Sequence, residues 1–300
     1  MVDTPFVVGA YASLPEGKPA QEKYYTALAA TPWINGIEIP FPGDLAQDAE
    51  WLAAQLPAHW DANTITLIPG TMQNMGKNPA FGLASPVEEG RHTALAFLEN
   101  VRLTVHKLAD IKGSPVIRHI QVHSGPRNVA EAQAFKTSLT ELSAQDWCGA
   151  KIVIEHCDAP RENQQPEKGF LEIDDEIAIA QQLGLGIHIN WGRSCLEERS
   201  VDAPYSHIEK AGTDGVLAGL LFSGAGPDET QYGYSWIDGH LPAKEDEPTS
   251  LLTDTEINRC AHLAREFSAS YIGAKICVPQ DASIEERIGM LHTIYAVATR

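Results

Sequence analysis

The sequence predicts an α/β chain folded as one closed (β/α)8 barrel over residues 1–300. Eight short apolar runs, most of them rich in β-branched residues and bounded by Gly, Pro or Asn, alternate with eight segments of helical spacing. That is the order of buried parallel strands and their crossover helices. No linker-like break divides the 300 residues into halves, and barrels reach this length as one domain. Gly184-Leu-Gly186 and Gly224-Ala-Gly226 do not continue to the third glycine of a GxGxxG turn, so neither an open dinucleotide-binding sheet nor a nucleotide cofactor is expected.

The first strand is read over residues 6–12 (FVVGAYA), followed by helical spacing over 21–30. The second, 36–41 (GIEIPF), leads into 44–56, and the third, 64–69 (TITLIP), is joined by a long connection, 69–85, to 86–111. The fourth, 119–124 (HIQVHS), precedes 129–144; the fifth, 151–158 (KIVIEHCD), precedes 173–183; the sixth, 185–191 (LGIHINW), precedes 202–211. The seventh, 215–223 (GVLAGLLFS), is followed by a second long connection, 224–253, and then 254–268, and the eighth, 271–279 (YIGAKICVP), by 284–298. Strand-to-helix loops of a TIM barrel border its C-terminal mouth, and long structured loops are usually functional. The 69–85 and 224–253 connections are therefore expected over that mouth, the second presenting Tyr232, Tyr234, Trp236 and His240.

Lys plus Arg number 22 against 40 Asp plus Glu, a formal charge of −18, which disfavours nucleic acid and anionic membranes as partners. Hydrophobic residues at 43% and charged residues at 21% fit an ordinary globular protein. No apolar run approaches the roughly 20 residues of a membrane span, and the first dozen residues lack the pattern of a secretory leader, so a cytoplasmic address is expected. Cys148, Cys157, Cys195, Cys260 and Cys277 have no CxxC spacing and read as reduced thiols. The long loops also offer surface for a homodimer.

Alternation decides which side chains enter the barrel. If Ile37 and Ile39 face the helices, Glu38 points inward; Ile152 and Ile154 outward send Val153 and Glu155 in. The same count places His119, Gln121 and His123, then His188 and Asn190, then Lys275 and Cys277 inside, and turns His156 away from Glu155. Glu38, His123, Glu155, His188, Asn190 and Lys275 thus gather near one end, where burying two carboxylates demands a cation, a proton or a ligand. Trp191 and Arg193 beyond the sixth strand, Ser223 at the end of the seventh and Trp236 in the long loop complete the candidate substrate-binding set.

Two chemistries suit these residues. Glu155, His188 and His123 are ligands for a divalent Mn, Zn or Mg ion that would polarise a carbonyl or hydroxyl. Alternatively, Glu155 and Glu38 are paired proton-transfer groups, with Lys275 or the histidines stabilising an enediolate. Lys275 divides the two readings, because an ammonium inside a metal cluster repels the metal.

The segment from Leu83 to Arg91, the helix ending at Gly113 and His119-Ile-Gln-Val-His-Ser-Gly125 resemble the third helix and fourth strand of the xylose isomerase-like barrels, which include sugar isomerases, epimerases and apurinic-site endonucleases. Ile152-Val-Ile-Glu155 is similar to their fifth strand, whose terminal glutamate binds a divalent metal and acts on substrate. The resemblance implies an isomerase or epimerase acting on a small carbohydrate or sugar acid by proton abstraction next to a carbonyl. A lyase using the same abstraction and a sugar-binding barrel without a metal are the alternatives. The chain departs from the pattern where it has Asn190 and Arg193 at the sixth strand, Phe222-Ser223 at the seventh and Lys275 at the eighth.

Overall fold

The computed structural model describes residues 4–300. Eight parallel strands close in sequence order, with β1 (Phe6–Val8) paired to both β2 (Gly36–Pro40) and β8 (Tyr271–Ala274). Between them run β3 (Asn63–Thr66), β4 (Ile117–Val122), β5 (Lys151–Glu155), β6 (Gly186–Asn190) and β7 (Leu217–Phe222). The surrounding helices are α1 (Lys18–Ala29), α2 (Asp44–Gln47), α3 (Ala49–Gln55), α4 (Ile68–Lys77), α5 (Glu88–Lys112), α6 (Ala132–Ser143), α7 (Ile173–Leu183), α8 (Trp191–Glu198), α9 (Asp202–Thr213), α10 (Asp254–Glu266) and α11 (Ile284–Ala298). No helix among the described residues is long and apolar enough to cross a membrane.

Four local departures from the expected elements have physical causes. The first strand ends at Val8, and residues 10–13 wind into a 3-10 turn. The 69–85 connection is not an open loop: Pro69 lies in the first turn of α4, where its missing N–H costs nothing, so the third strand stops at Thr66 and a helix begins. The 44–56 segment breaks at Asp48, which leaves the helical region and accepts the Trp51 amide to cap α3. Directly after β6, α8 appears where a loop was expected, capped by the Asn190 side chain accepting from the Arg193 amide.

Connection 224–253 carries neither helix nor strand, but it is pinned by paired backbone bonds between Gly224 and Leu241 and by Leu251 N–H to Ala225 C=O. Beneath the helices, Ile37, Ile39, Ile120, Ile154, Ile187 and Ile189 are buried in the shell between strands and helices, as the alternation requires. Inside, glycines make room for large groups. A Cβ on Gly219 would stand 2.3 Å from the Tyr271 ring, and one on Gly9 would stand 2.6 Å from the stem of Lys275. Overpacking a filled interior costs about 1–3 kcal/mol. Gly219→Ala is accordingly expected to lower stability by that amount and to disturb the hydrogen bonds of Tyr271, readable by equilibrium urea denaturation.

Candidate active site

Six of the residues singled out from the sequence meet at the carboxyl end of the barrel. Glu155 ends β5 beside its register partner His188 on β6. Its Oε1 lies 2.5 Å from Nη1 of Arg193 and 3.6 Å from Nζ of Lys275, and its Oε2 lies 2.6 Å from Nε2 of His123 and 3.1 Å from the Thr66 hydroxyl. Lys275, just beyond β8, reaches across to Glu38 of β2 at 2.9 Å. The charged groups and His123 have side chains at most 1% exposed.

The two carboxylates are pushed apart. Burial drives the Glu38 carboxyl above the ordinary glutamate range, and the Lys275 charge offsets only part of the rise. Burial acts on Glu155 in the same sense, but Arg193, Lys275 and the His123 hydrogen bond together hold it well below that range. Lys275 is raised despite burial, because Glu38 and Glu155 both favour its charged form. Two carboxyl groups of unequal proton affinity, Glu38 the higher and Glu155 the lower, therefore face one ammonium.

Both histidines are kept neutral by burial, His188 with a pKa lowered to about 3. Gln121 donates to the Tyr271 hydroxyl, which is 2.8 Å from Nδ1 of His188. The other ring nitrogen, Nε2 of His188, has no hydrogen-bonding partner and lies 3.9 Å from Glu155 Oε1. Several buried polar atoms of these residues have no hydrogen-bonding partner: Nδ1 of His123, Nε2 of His188, Nδ2 of Asn190 and Oε1 of Glu38. They are the donors and acceptors that ligand hydroxyls would satisfy.

Two buried His/Glu groups could hold a metal by composition: Glu38, Glu155 and His188 at the mouth, and His156, Glu197 and His207 outside the barrel, each with donor atoms within 4.8 Å of one another. The mouth fits a divalent ion poorly. Lys275 and Arg193 already balance its carboxylates, and Arg193 lies 2.5 Å from Oε1 of Glu155, the oxygen nearest His188. The expected Glu155–His188–His123 metal set is thus a charge-balanced cluster in which His123 and Arg193 occupy the Glu155 oxygens.

The other expected substrate contacts divide. Asn190 and Ser223 are at the mouth, with the Ser223 hydroxyl donating to Asn190 Oδ1 at 2.7 Å, which leaves the Asn190 amide group free. Trp191, in contrast, is fully buried against Cys260 of α10, on the helical side, because the strand alternation continues through it. Trp236 is also corrected: it has a left-handed backbone (φ 61°) and its ring packs with Arg199 at the end of α8, 5.6 Å from the guanidinium. The long loop instead contributes Asp238, whose Oδ2 is 3.0 Å from Arg193 Nε and 2.8 Å from Lys168 Nζ. Sequence reasoning misses Asp238, Lys168 and Tyr11; none lies on a strand, so alternation cannot find them. Tyr11 sits beside Lys275, its ring centroid 5.8 Å from the ammonium.

The architecture is that of a TIM barrel, and solved structures of similar fold include sugar epimerases and an endonuclease. D-psicose 3-epimerase, crystallised in the presence of D-fructose, matches with a TM-score of 0.62 at 13% identity, over 98% of this chain and 97% of that chain. Endonuclease IV from Thermus thermophilus matches with a TM-score of 0.59 at 12% identity, over 98% and 99%. Within that fold, the chain belongs to the family described as Domain of unknown function (DUF4862), which matches residues 7–290. It is 31% identical over 300 residues to Uncharacterized protein STM3670 of Salmonella typhimurium (strain LT2), covering 96% of this chain and 95% of that protein.

Removing one partner of a buried pair costs about 3–5 kcal/mol. Lys275→Met is expected to lose that much stability at neutral pH. A depressed carboxyl such as Glu155 contributes stability above its unfolded pKa of about 4.3 and loses it as pH falls through the folded value. The gap between wild type and variant should therefore close below about pH 4, measured as urea midpoints across pH.

Proposed function

We propose that the barrel mouth catalyses proton transfer next to a carbonyl of a small polyhydroxylated substrate, a sugar or sugar acid, as an isomerase or epimerase that works without a divalent ion at this site. The observation that carries the reading is the placement of two buried carboxyl groups around one ammonium, Glu38 at 2.9 Å and Glu155 at 3.6 Å from Lys275 Nζ, with burial raising the proton affinity of the first and Arg193 and Lys275 lowering that of the second. Glu155, ionised, is the base that removes the carbon-bound proton. Glu38, whose proton affinity burial raises, returns a proton to carbon or oxygen. Lys275 stabilises the enediolate oxygen that develops between the two steps.

The neutral histidines and Asn190 suit a neutral polyol. Asn190 presents an unpaired amide N–H, His123 a bare Nδ1 and His188 an unpartnered Nε2, so hydroxyls can both accept and donate. Arg193 is the group that an acidic substituent would engage, exchanging for Glu155 or Asp238. Reaching Glu155 requires the segment around Asp238 to swing outward, since this loop pairs with both Arg193 and Lys168 over the site.

The test is wash-in of deuterium from solvent into carbon-bound positions of a panel of ketoses, aldoses and sugar acids, with chelator present. Exchange is expected for at least one substrate and should fall at least about 100-fold in Glu155→Gln, the scale of a lost general base. The pH profile should decline on its alkaline side as Glu38 ionises, and Glu38→Gln should abolish that limb while lowering the rate. Folded protein that exchanges no member of the panel would refute the assignment.

A further inference from the structure

The second buried triad lies on the outer side of β5, and we propose that His156, Glu197 and His207 form a divalent-cation site of the zinc type. Their donor atoms fall within 4.8 Å of one another and come from the end of β5, from α8 and from α9. Two imidazoles and one carboxylate make a three-ligand set in which zinc keeps a fourth position for water.

Both imidazoles are oriented from behind, as metal-binding histidines are. Nδ1 of His156 lies 2.7 Å from Oε2 of Glu176, whose other oxygen accepts from the Ser124 hydroxyl at 2.5 Å, and this turns Nε2 toward Glu197 Oε2 at 2.9 Å. Nδ1 of His207 is held by the Ser194 hydroxyl at 3.0 Å, and the two rings meet edge to face with centroids 5.0 Å apart. In the metal-free chain a proton on Nε2 of His156 bridges to Glu197. An entering dication takes its place, and the proton leaves to solvent.

Charge and access favour this triad over the mouth. Arg161 pairs with Glu172, Glu197 and Glu198, and His156 bridges Glu176 and Glu197, so four carboxylates stand against one guanidinium and one imidazole bonded at both nitrogens. A cavity of about 400 Å³, bordered by Arg161, Glu172, Glu198, Ser206, His207 and Lys210, opens beside the His207 ligand and supplies a path for the ion and its water. The bound ion would clasp α8, which carries Arg193, to the strand end that carries Glu155, and so brace the mouth from outside.

The full chain, stripped with chelator and titrated with Zn2+ alone against a chromophoric competitor, is expected to bind one ion, and Co2+ in its place should show the visible bands of a four-coordinate site. His207→Gln should abolish binding, and Ser194→Ala should weaken it about 10–100-fold, the effect of losing an outer partner. Glu38→Gln, in the mouth triad, should leave binding unchanged. Should His207→Gln fail to fold by circular dichroism, Ser194→Ala decides: weakened binding supports the site and unchanged binding overturns it. Wild-type protein that binds no ion, or binding lost in Glu38→Gln and kept in His207→Gln, also overturns the proposal.

Discussion

Everything at the mouth depends on the ammonium of Lys275 being held inside the barrel between two carboxylates. Isolated charges cannot remain ionised at this depth, and a buried pair tolerates desolvation only when each member has its counter-charge in place. Glu38 and Glu155 would repel each other without Lys275, and Arg193 would be uncompensated without Glu155 and Asp238. Asp238 in turn draws Lys168 down from the connection between β5 and α7. The chain of opposite charges is what turns a long irregular loop into part of the site.

Strand β5 separates two such networks. Glu155 points into the barrel and the next residue, His156, points into the helical layer, because successive side chains leave a strand on opposite faces. One network is charge-balanced by Lys275 and Arg193; the other collects four carboxylates around Arg161 and His156. They share α8: Arg193 serves the inner network, and Ser194 and Glu197 the outer one. A short helix with Arg, Ser and Glu at these positions therefore ties the chemistry of the mouth to the packing outside it.

The same physics limits what can be read before the chain is folded. Alternation in GIEIPF, KIVIEHCD and LGIHINW places Glu38, Glu155 and His188 on the inner face, since Ile on either side must be covered by helices. It also carries Lys275 inward past the end of β8, where Gly9 leaves space for its stem. Position after β6, not alternation, makes Trp191 look like a mouth residue, whereas parity counted one residue past the inward Asn190 sends it outward to Cys260. Alternation is silent for α8, whose eight residues include Gly192 and follow the strand without a break.

The sequence by itself determined the eight-fold alternation, the closed barrel and which strand residues face the axis, because burial of β-branched residues with period two is a local property of each strand. Only the tertiary structure decided which charges meet. Asp238 and Lys168 reach the site from loops whose paths depend on backbone pairing with distant segments, such as Gly224 with Leu241, and Tyr11 from the 3-10 turn that follows β1. It also decided that Glu38 and Glu155 differ in proton affinity, since that depends on distances to Arg193 and Lys275 across the barrel, and no local pattern encodes a distance between strands.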